Sequence, residues 1–234
     1  QKTKTLNPTR LQLEKLKQYK ESLLRWNLTH SLVSKGQADN LDEHINDSLS
    51  IEAYLGRNLI DLGSGGGFPG IPLAIVSTNR RIFLIEKNQK KASFLLHTTN
   101  KLNLTNTKVL GVGVENLLAS DFPQPYEIIA RAFGTTKRTT EVVKTLMTAP
   151  HAKLRMMKTS PFVDDKTLPG QLRTAEILLL ETKGKDKRRI LVTIEKKEDA
   201  YHSNCQPKRG GGQNHNRHKS GRILGGHEEK GSFG

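Results

Sequence analysis

The sequence predicts an α/β protein with a mostly parallel, doubly wound sheet that ends in an antiparallel pair and follows an N-terminal helical extension. Three observations predict this class. Apolar residues recur at helical spacing in the N-terminal quarter of the chain. From Asn58 onward, short apolar strands alternate with helical stretches over short connections. A glycine-rich turn at 63–70 joins the first of these strands to a helix.

The helical extension is predicted from two amphipathic segments. The first begins at Asn7-Pro8-Thr9, where proline is pre-set for a first helical turn. The second spans residues 41–55, with its apolar side chains largely on one side. In the first segment, the residues at helical spacing are Leu13, Leu16, Tyr19, Leu23 and Trp26, and Trp26 is expected in the core.

The alternating region is predicted to hold five parallel strands, with helices at 89–101 and 136–148 among the segments between them. Two further apolar runs, 176–182 and 188–195, are joined by residues 183–186 and are typical of a hairpin, which supplies the antiparallel pair. The five parallel strands are predicted at 58–62, 81–86, 107–114, 126–133 and 152–158.

Composition bounds the class of protein. The 234 residues, 34% hydrophobic and 26% charged, suit one domain with an elaboration or a tail. The longest apolar runs are too short to cross a bilayer, and no charged-then-apolar leader opens the chain. A single cysteine, Cys205, excludes an internal disulfide and fits a reducing compartment. We therefore expect a cytoplasmic protein that does not span a membrane. A monomer without a membrane partner is expected as well.

The charge predicts a polyanionic partner. The formal charge is +15, and clustered Lys and Arg gain affinity for phosphates by releasing counterions. Charge alone leaves nucleic acid and an anionic membrane surface both open. Residues 200–234 are rich in Gly, His and Lys/Arg and are expected to be disordered. The predicted regions are thus a helical extension at 1–56, the α/β domain at 57–199 and a basic tail at 200–234.

The tail carries zinc-ligand types at chelating spacing. His202 precedes Cys205 by three residues, and His215 precedes His218 by three. No apolar residues surround these pairs to build a zinc finger. We therefore expect no metal site and a solvated tail.

The glycine turn predicts a site for a nucleoside cofactor. Gly65, Gly67 and Gly70 form a G-x-G-x-x-G of the dinucleotide type. Asp61 argues against a dinucleotide, because a diphosphate repels a carboxylate, whereas S-adenosylmethionine presents an ammonium and a sulfonium that a carboxylate stabilises. Pro69 also removes an N–H donor that a pyrophosphate needs. The residues favour S-adenosylmethionine, with a nicotinamide-dependent oxidoreductase and a merely structural turn as the alternatives.

A second carboxylate is predicted to contact the nucleoside. Glu86 ends the second strand, 23 residues after Gly63, where it would reach the ribose hydroxyls. This spacing fits S-adenosylmethionine and a dinucleotide alike. Glu86 therefore supports nucleoside binding without choosing between the two cofactors.

Several segments resemble one known family. The segment 63–73, GSGGGFPGIPL, closely resembles the signature of the ribosomal small-subunit methyltransferase G family, also called glucose-inhibited division protein B. WNLT at 26–29 resembles the family's W-N-x-x-x-N-L-T in shortened form, and EHINDS at 43–48 resembles its R-H-I-x-D-S. VE at 114–115 is similar to its R-x-E-E/V-E element and RAF at 131–133 to its S-R-A-F. The matches keep the family's order across most of the chain.

The resemblance implies a Rossmann-like class I methyltransferase that acts on 16S ribosomal RNA or the small ribosomal subunit, at N7 of guanine 527. It implies that Gly63 and Phe68 line the cofactor pocket, that Val114 and Glu115 flank the adenine, and that Arg131 lies at the methionine end or at the RNA. Together with the residues argued above, the predicted cofactor site is Asp61, Gly63, Gly65, Gly67, Phe68, Glu86, Val114, Glu115 and Arg131.

The departures from the family pattern fall on residues expected to face RNA. Glu43 replaces an arginine, Ala130 replaces a serine, and threonine rather than glycine follows Lys158. Arg131 and Lys158 remain the predicted RNA contacts. The basic charge and the altered region at Lys158 keep a non-catalytic RNA-binding or assembly protein as an alternative.

The implied reaction requires no general base. Guanine N7 has a lone pair and no proton to lose, so orientation and electrostatics supply the catalysis and no catalytic residue is predicted. His44 and Asp47 lie three residues apart on one helix face. We expect them either to cap the cofactor pocket or to hold two helices together.

Overall fold

The protein is described by a computed structural model over residues 7–160, 168–180 and 188–197. Its helical extension begins at a capping box, in which the Thr9 hydroxyl accepts from the Gln12 N–H at 3.3 Å and the Gln12 side chain accepts from the Thr9 N–H at 2.8 Å. Pro8 therefore lies outside the helix, and the expectation that it forms the first turn is wrong. The described helices are α1 (Arg10–His30), α2 (Lys35–Ala38), α3 (Leu41–Leu49), α4 (Gly70–Val76), α5 (Gln89–Lys101) and α6 (Thr136–Val142).

Seven strands form one sheet among the described residues, in the order β3-β2-β1-β4-β5-β7-β6. The first five pair in parallel, and β7 lies antiparallel between β5 and β6. The predicted doubly wound sheet with an antiparallel pair is confirmed. The strands are β1 (Asn58–Leu62), β2 (Arg81–Ile85), β3 (Thr107–Leu110), β4 (Glu127–Arg131), β5 (Lys153–Thr159), β6 (Leu172–Leu180) and β7 (Arg189–Lys196).

The strand order reverses between β1 and β4. In open α/β sheets, ligands bind in the crevice beyond the carboxyl ends of the strands at such a switch point. The glycine turn follows β1 directly, so it lies at this crevice. The fold thus assigns the predicted cofactor site to one edge of the sheet.

Several predicted elements are too long. β3 ends at Leu110 rather than 114, and a separate 3-10 turn, Val114–Asn116, follows two glycines. The second helix ends at Leu49, where the Ser50 hydroxyl donates to the Asp47 carbonyl at 2.6 Å. Helix α6 ends at Val142 rather than 148, and inside it the Thr139 and Thr140 hydroxyls donate to backbone carbonyls of the preceding turn, a contact that slightly destabilises helices.

The predicted hairpin is confirmed as an antiparallel pair. β6 begins at Leu172, earlier than predicted, and a register shift between Thr174 and Glu176 marks a bulge. The connecting residues 183–186 and the tail at 200–234 lie outside the described residues.

Apolar residues fill both faces of the sheet. On one face, Leu23, Ile71 and Phe94 pack together, so the helical extension shares a core with α4 and α5. The other face packs against α6 and the 3-10 turns. Trp26 is half-buried, with its ring 5.7 Å from that of Phe94. The helical extension therefore packs against the helix that follows the glycine turn.

Candidate active site

The carboxyl ends of the parallel strands bring the predicted site residues to one edge of the sheet. Each strand from β1 to β5 contributes to this edge, either in its last residues or in the segment that follows it. In sheet order they are Val114 and Glu115 after β3, Glu86 after β2, Asp61 with Gly63 and Gly65 at β1, Arg131 at β4 and Lys158 at β5.

The glycine turn has an open part and a packed part. Gly63 and Gly65 have φ of +61° and +56°, and their backbone is exposed or half-exposed toward the crevice. Gly67 is buried with φ of +98°, and a Cβ there would lie 2.6 Å from Ile71 and 3.1 Å from the Tyr19 hydroxyl. The first glycines therefore leave backbone accessible to a ligand, whereas Gly67 lets the turn pack against the helices.

Helix α1 packs against the glycine turn and stabilises it. The buried Tyr19 hydroxyl donates a 2.6 Å hydrogen bond to the carbonyl of Gly66, and its ring meets Phe68 edge-on at 5.5 Å. A Cβ on Gly66 would lie 2.7 Å from Val33, so the extension requires glycine here as well. The turn is held by residues that precede it in sequence by more than thirty positions.

Asp61 is fully buried beneath the turn. Its Oδ2 accepts from the Gly70 N–H at 3.1 Å, which ties β1 to the first turn of α4. Its Oδ1 has no hydrogen-bond partner among the described residues. Burial raises the pKa of Asp61 to about 7, although the neighbouring Ser64 and the hydrogen bond from the Gly70 N–H lower it. The carboxyl group is thus an unfilled acceptor whose charge is sensitive to pH.

Glu86 is hydrogen-bonded to the first part of the glycine turn. Its Oε2 accepts from the Gly65 N–H at 3.0 Å and its Oε1 accepts from the Asn88 N–H at 2.8 Å. Each carboxylate oxygen has a further lone pair. The carboxylate is therefore fixed beside exposed glycine backbone with capacity to accept another donor.

Arg131 lies in a group of five side chains, here called the Arg131 cluster: His44, Asp47, Phe68, Arg131 and Arg189. The guanidinium carbon lies 5.3 Å from the Phe68 ring centroid, a cation–π contact. Arg131 also donates to the carbonyl of His44 at 3.4 Å and contacts its Nδ1. Burial and the neighbouring Arg131 lower the pKa of His44, so its ring is neutral at pH 7 and Nδ1 accepts from the guanidinium.

Asp47 joins two arginines of the cluster. Its Oδ2 lies 2.9 Å from Arg189 Nη2 and 3.9 Å from Arg131 Nη2, and the carboxylate is buried. Of the two expectations for His44 and Asp47, the pairing of two helices is not observed among the described residues, and the capping of the cofactor pocket stays a prediction. The pair instead connects α3 to β4 and β7, behind Phe68 and the glycine turn.

Sequence reasoning missed Arg189. β7 runs antiparallel to β5, so its first residue lies at the edge where the parallel strands end. Arg189 pairs in register with Thr159 and donates to its hydroxyl at 2.8 Å. The predicted hairpin was the available signal, because an antiparallel strand beside the parallel strands must begin at this edge.

The remaining predicted residues lie around the crevice. Val114 is buried and Glu115 is exposed, with its carboxylate folded back over Gly113. Lys158 donates to the carbonyl of Gly134 at 2.8 Å, and burial lowers its pKa. All of these residues lie at the same edge as Arg131.

Comparison with known proteins identifies the family. The family described as rRNA small subunit methyltransferase G matches residues 12–186, about three quarters of the chain. The chain belongs to this family. Ribosomal RNA small subunit methyltransferase G of Chromobacterium violaceum is 32% identical over 193 residues, covering 81% of this chain and 91% of that protein. The protein of the same name from Xanthomonas campestris pv. campestris is 34% identical over 184 residues, covering 77% and 85%.

Solved structures share the fold. The mitomycin 7-O-methyltransferase MmcR has a TM-score of 0.50 at 10% identity, covering 81% of this chain and 69% of that chain. MtNAS in complex with MTA and tNA has a TM-score of 0.50 at 16% identity, covering 81% and 71%. At such identity these structures show the Rossmann-like methyltransferase fold alone.

The methyl donor of this methyltransferase is S-adenosylmethionine. Its family membership sets aside the nicotinamide-dependent oxidoreductase considered above. The edge fits the donor, because the buried Oδ1 of Asp61 lacks a partner and the backbone at Gly63 and Gly65 is open. Glu86, the residue that follows β2, accepts a hydrogen bond from the Gly65 N–H.

Two further properties concern only the part of the methyltransferase that the structure describes. Within it, no helix is both long and apolar enough to span a bilayer. Among the described residues, no group of three or more His, Cys, Asp or Glu side chains is placed to hold a metal ion. The pairs at His202 with Cys205 and at His215 with His218 lie outside the described residues.

Proposed function

We propose that this protein transfers a methyl group from S-adenosylmethionine to N7 of one guanine of 16S ribosomal RNA, guanine 527, in the small ribosomal subunit. The proposal includes a monomer acting in the cytoplasm. The observation that carries it is the Arg131 guanidinium stacked on Phe68 beside the glycine turn. We expect the anionic RNA to approach the donor past this cation. The names of the family and of its relatives support the RNA substrate.

The donor would be held by the turn and its two carboxylates. Bound S-adenosylmethionine supplies an electrophilic methyl group on a sulfonium. We assign Asp61 to the ammonium of the methionine end, because its free Oδ1 is an acceptor in need of a cation or donor. Glu86 would accept from the ribose hydroxyls, and Val114 and Glu115 would flank the adenine. The backbone of Gly63 and Gly65 would contact the donor directly.

The nucleophile needs positioning rather than activation. Guanine N7 carries its lone pair at neutral pH, so no side chain has to remove a proton. The protein's contribution is to align the base and exclude water, and such orientation supplies up to about 7–11 kcal/mol of a barrier. Arg131 and Lys158 would hold the RNA backbone at the edge of the pocket. A guanine within a folded RNA must first be unstacked before it reaches the donor.

The test is methyl transfer followed by mapping of the base. The full chain is incubated with methyl-labelled S-adenosylmethionine and either small subunits lacking the modification or naked 16S RNA. Borohydride reduction and aniline cleavage then locate any 7-methylguanine. The expected result is one labelled guanine, with transfer at least about tenfold slower for Arg131→Ala, equivalent to about 1.4 kcal/mol. Lys17→Ala, at an exposed lysine of α1, is the control and keeps wild-type transfer.

Two outcomes contradict the proposal. Label at another atom or another nucleotide would overturn the assignment of N7 at guanine 527. Tight RNA binding without transfer, in the presence of bound donor, would favour the non-catalytic assembly protein. The basic charge and the altered region at Lys158 are the observations that keep this second function in the test.

A further inference from the structure

A second concave surface lies at the opposite edge of the sheet. Strands β1, β2, β4 and β5 begin there, and their first residues line a groove of about 660 Å³. We call it the amino-edge groove and define it by Arg57, Arg81, Glu127, His151 and Lys153. Strand β1 separates it from the glycine turn by about 16 Å, at about 3.3 Å per residue. It is therefore distinct from the donor site.

Strand pairing brings the groove's cations together. Asn58 pairs in register with Arg81, and the Arg81 N–H donates to the Arg57 carbonyl at 2.9 Å, so the two arginines are neighbours. Lys153 begins β5, two strands beyond β1. With strands about 4.8 Å apart, the cations from β2 to β5 span about 14 Å. This is a row of charge along the strand ends.

Glu127, the one acid among the described residues that line the groove, does not neutralise this row. Glu127 is already compensated, since Arg155 Nη2 lies 3.1 Å from its Oε1. Its Oε2 accepts from the Gly56 N–H at 3.1 Å and from Arg155 Nε at 3.3 Å. Arg155 is buried and points inward to Thr193 as well, at 2.6 Å. Glu127 therefore stabilises the sheet and leaves the groove's cations without a counter-charge.

Those cations have no acidic partner elsewhere in the described chain. Arg57 and Arg81 are exposed, and neither they nor Lys153 forms an ion pair with another described residue. The adjacent Arg80, by contrast, pairs with Glu52 at 2.9 Å. Cations in a concavity produce a stronger field than the same charges on a convex surface, because the protein walls exclude water.

We propose that the amino-edge groove binds the phosphate backbone of the RNA substrate. It gives the protein a second RNA contact, one strand length away from the base that is methylated. The inference rests on the proposed function, since the RNA it holds is the methyl acceptor. Two separated contacts fix the orientation of a long RNA, because rotation about either one is blocked by the other. The groove binds phosphates without reading sequence.

The test compares Arg57→Ala/Arg81→Ala with Lys17→Ala/Lys144→Ala, which removes two exposed lysines outside the groove. Affinity for 16S RNA is measured by filter binding across a salt series. Each lost phosphate contact reduces the slope of log K against log salt by about 0.7 for single strands and 0.9 for duplex. We expect the groove variant to lose about 1.4–1.8 of slope and at least about tenfold in affinity at 0.15 M salt. The lysine control should lose less than half of the slope and less than half of the binding free energy that the groove variant loses.

Three further measurements separate phosphate binding from a structural role. Arg57→Lys/Arg81→Lys keeps the charges and should keep most of the salt slope. Calorimetry with S-adenosylmethionine should give wild-type donor affinity for Arg57→Ala/Arg81→Ala. In methyl transfer, the change should fall on KM for RNA rather than on kcat. Thermal unfolding confirms that both arginine variants are folded.

Several outcomes would overturn the inference. Equal losses in the arginine and lysine double variants would mean that RNA attraction is spread over the whole surface. Saturable binding of inorganic triphosphate that needs Arg57 and Arg81, with RNA affinity unchanged, would assign the groove to a free phosphate compound. If the wild type methylates RNA and the arginine variant has the same RNA affinity and salt slope as the lysine control, the groove does not bind RNA and the proposed function stands. If wild type binds RNA through the groove without methylating it, the proposed function fails alone.

Discussion

The Tyr19 hydroxyl lies 2.6 Å from the Gly66 carbonyl oxygen and donates a hydrogen bond to it. Burial raises the pKa of Tyr19 well above its ordinary value, so the hydroxyl remains a donor at any physiological pH. This single bond connects helix α1 to the glycine turn across 47 positions of sequence. The helical extension is thus a structural part of the proposed donor site.

Replacing Tyr19 tests this connection. Tyr19→Phe leaves a buried carbonyl unsatisfied and should lower the free energy of unfolding by about 1–3 kcal/mol. Tyr126→Phe is the matched control, because its hydroxyl donates an equally short, buried bond to the Leu146 carbonyl. Urea unfolding should show a loss of the same size for both variants. Only Tyr19→Phe should weaken S-adenosylmethionine binding in calorimetry, and equal donor affinities for the two variants would contradict the role of α1.

Gly67 should tolerate no side chain. Gly67→Ala combines a φ of +98° with a Cβ 2.6 Å from Ile71, so we expect a loss of about 1–3 kcal/mol in the free energy of unfolding. Gly36→Ala is the control, since a Cβ there meets nothing within 4 Å. That change should be neutral or stabilise by about 0.4–1 kcal/mol. Thermal unfolding of both variants checks the difference, and equal melting temperatures would refute it.

Asp61 should couple donor binding to pH. A cationic ligand prefers the carboxylate, so with a pKa of about 7 the protein must release a proton to bind S-adenosylmethionine in more acidic solution. Donor affinity should rise between about pH 5 and pH 7 and level off above that range. Calorimetry in two buffers of different ionisation enthalpy measures the proton released. Asp61→Asn, which keeps an acceptor for Gly70, should bind more weakly and without this pH dependence.

The same carboxyl group should affect stability in the opposite direction. Its pKa is raised from 3.8 to about 7 on folding, so the folded chain binds this proton more tightly than the unfolded chain. The stability from this group is therefore full below about pH 4 and declines as pH rises to about 7. Urea unfolding of donor-free protein should show a steeper decline for wild type than for Asp61→Asn. Parallel curves would assign the pH dependence to other groups.

Asp47 should be critical to the Arg131 cluster. Asp47→Asn removes the buried charge between Arg131 and Arg189 and should cost about 3–5 kcal/mol of unfolding free energy. Adding Arg189→Met removes one of the two facing cations, so the double variant should be less unstable than the sum of the single losses. Urea unfolding of the four proteins completes the cycle. Additive losses would show that the two side chains do not interact.

The strands were predictable because their signals are local. β1 is a short apolar run followed at once by the glycine turn, and its predicted bounds agree with the structure. β3 was predicted too long, because Val112 and Val114 continue an apolar alternation through Gly111 and Gly113, whereas the chain there leaves the sheet. Periodicity reports which residues are apolar, and pairing partners decide where a strand ends.

The site was predictable where its residues are adjacent in sequence. Asp61 and the glycines occur in one segment, so their common position followed from the turn alone. Arg189 was not found, because its place beside Asp47 depends on the order of strands in the sheet. The amino-edge groove was missed for the same reason, since Arg57 and Lys153 become neighbours of one concavity only when four strands align.

The position of Arg189 also determines when the site is completed during synthesis. Asp47 leaves the ribosome early, and at about 5–20 residues per second Arg189 follows roughly 7–28 s later. Until then, the carboxylate of Asp47 lacks the guanidinium 2.9 Å away that compensates it in the finished fold. The strand translated last among those described thus completes a cluster whose other members were made earlier. A chain released before residue 189 would therefore carry every glycine of the turn and still lack a finished Arg131 cluster.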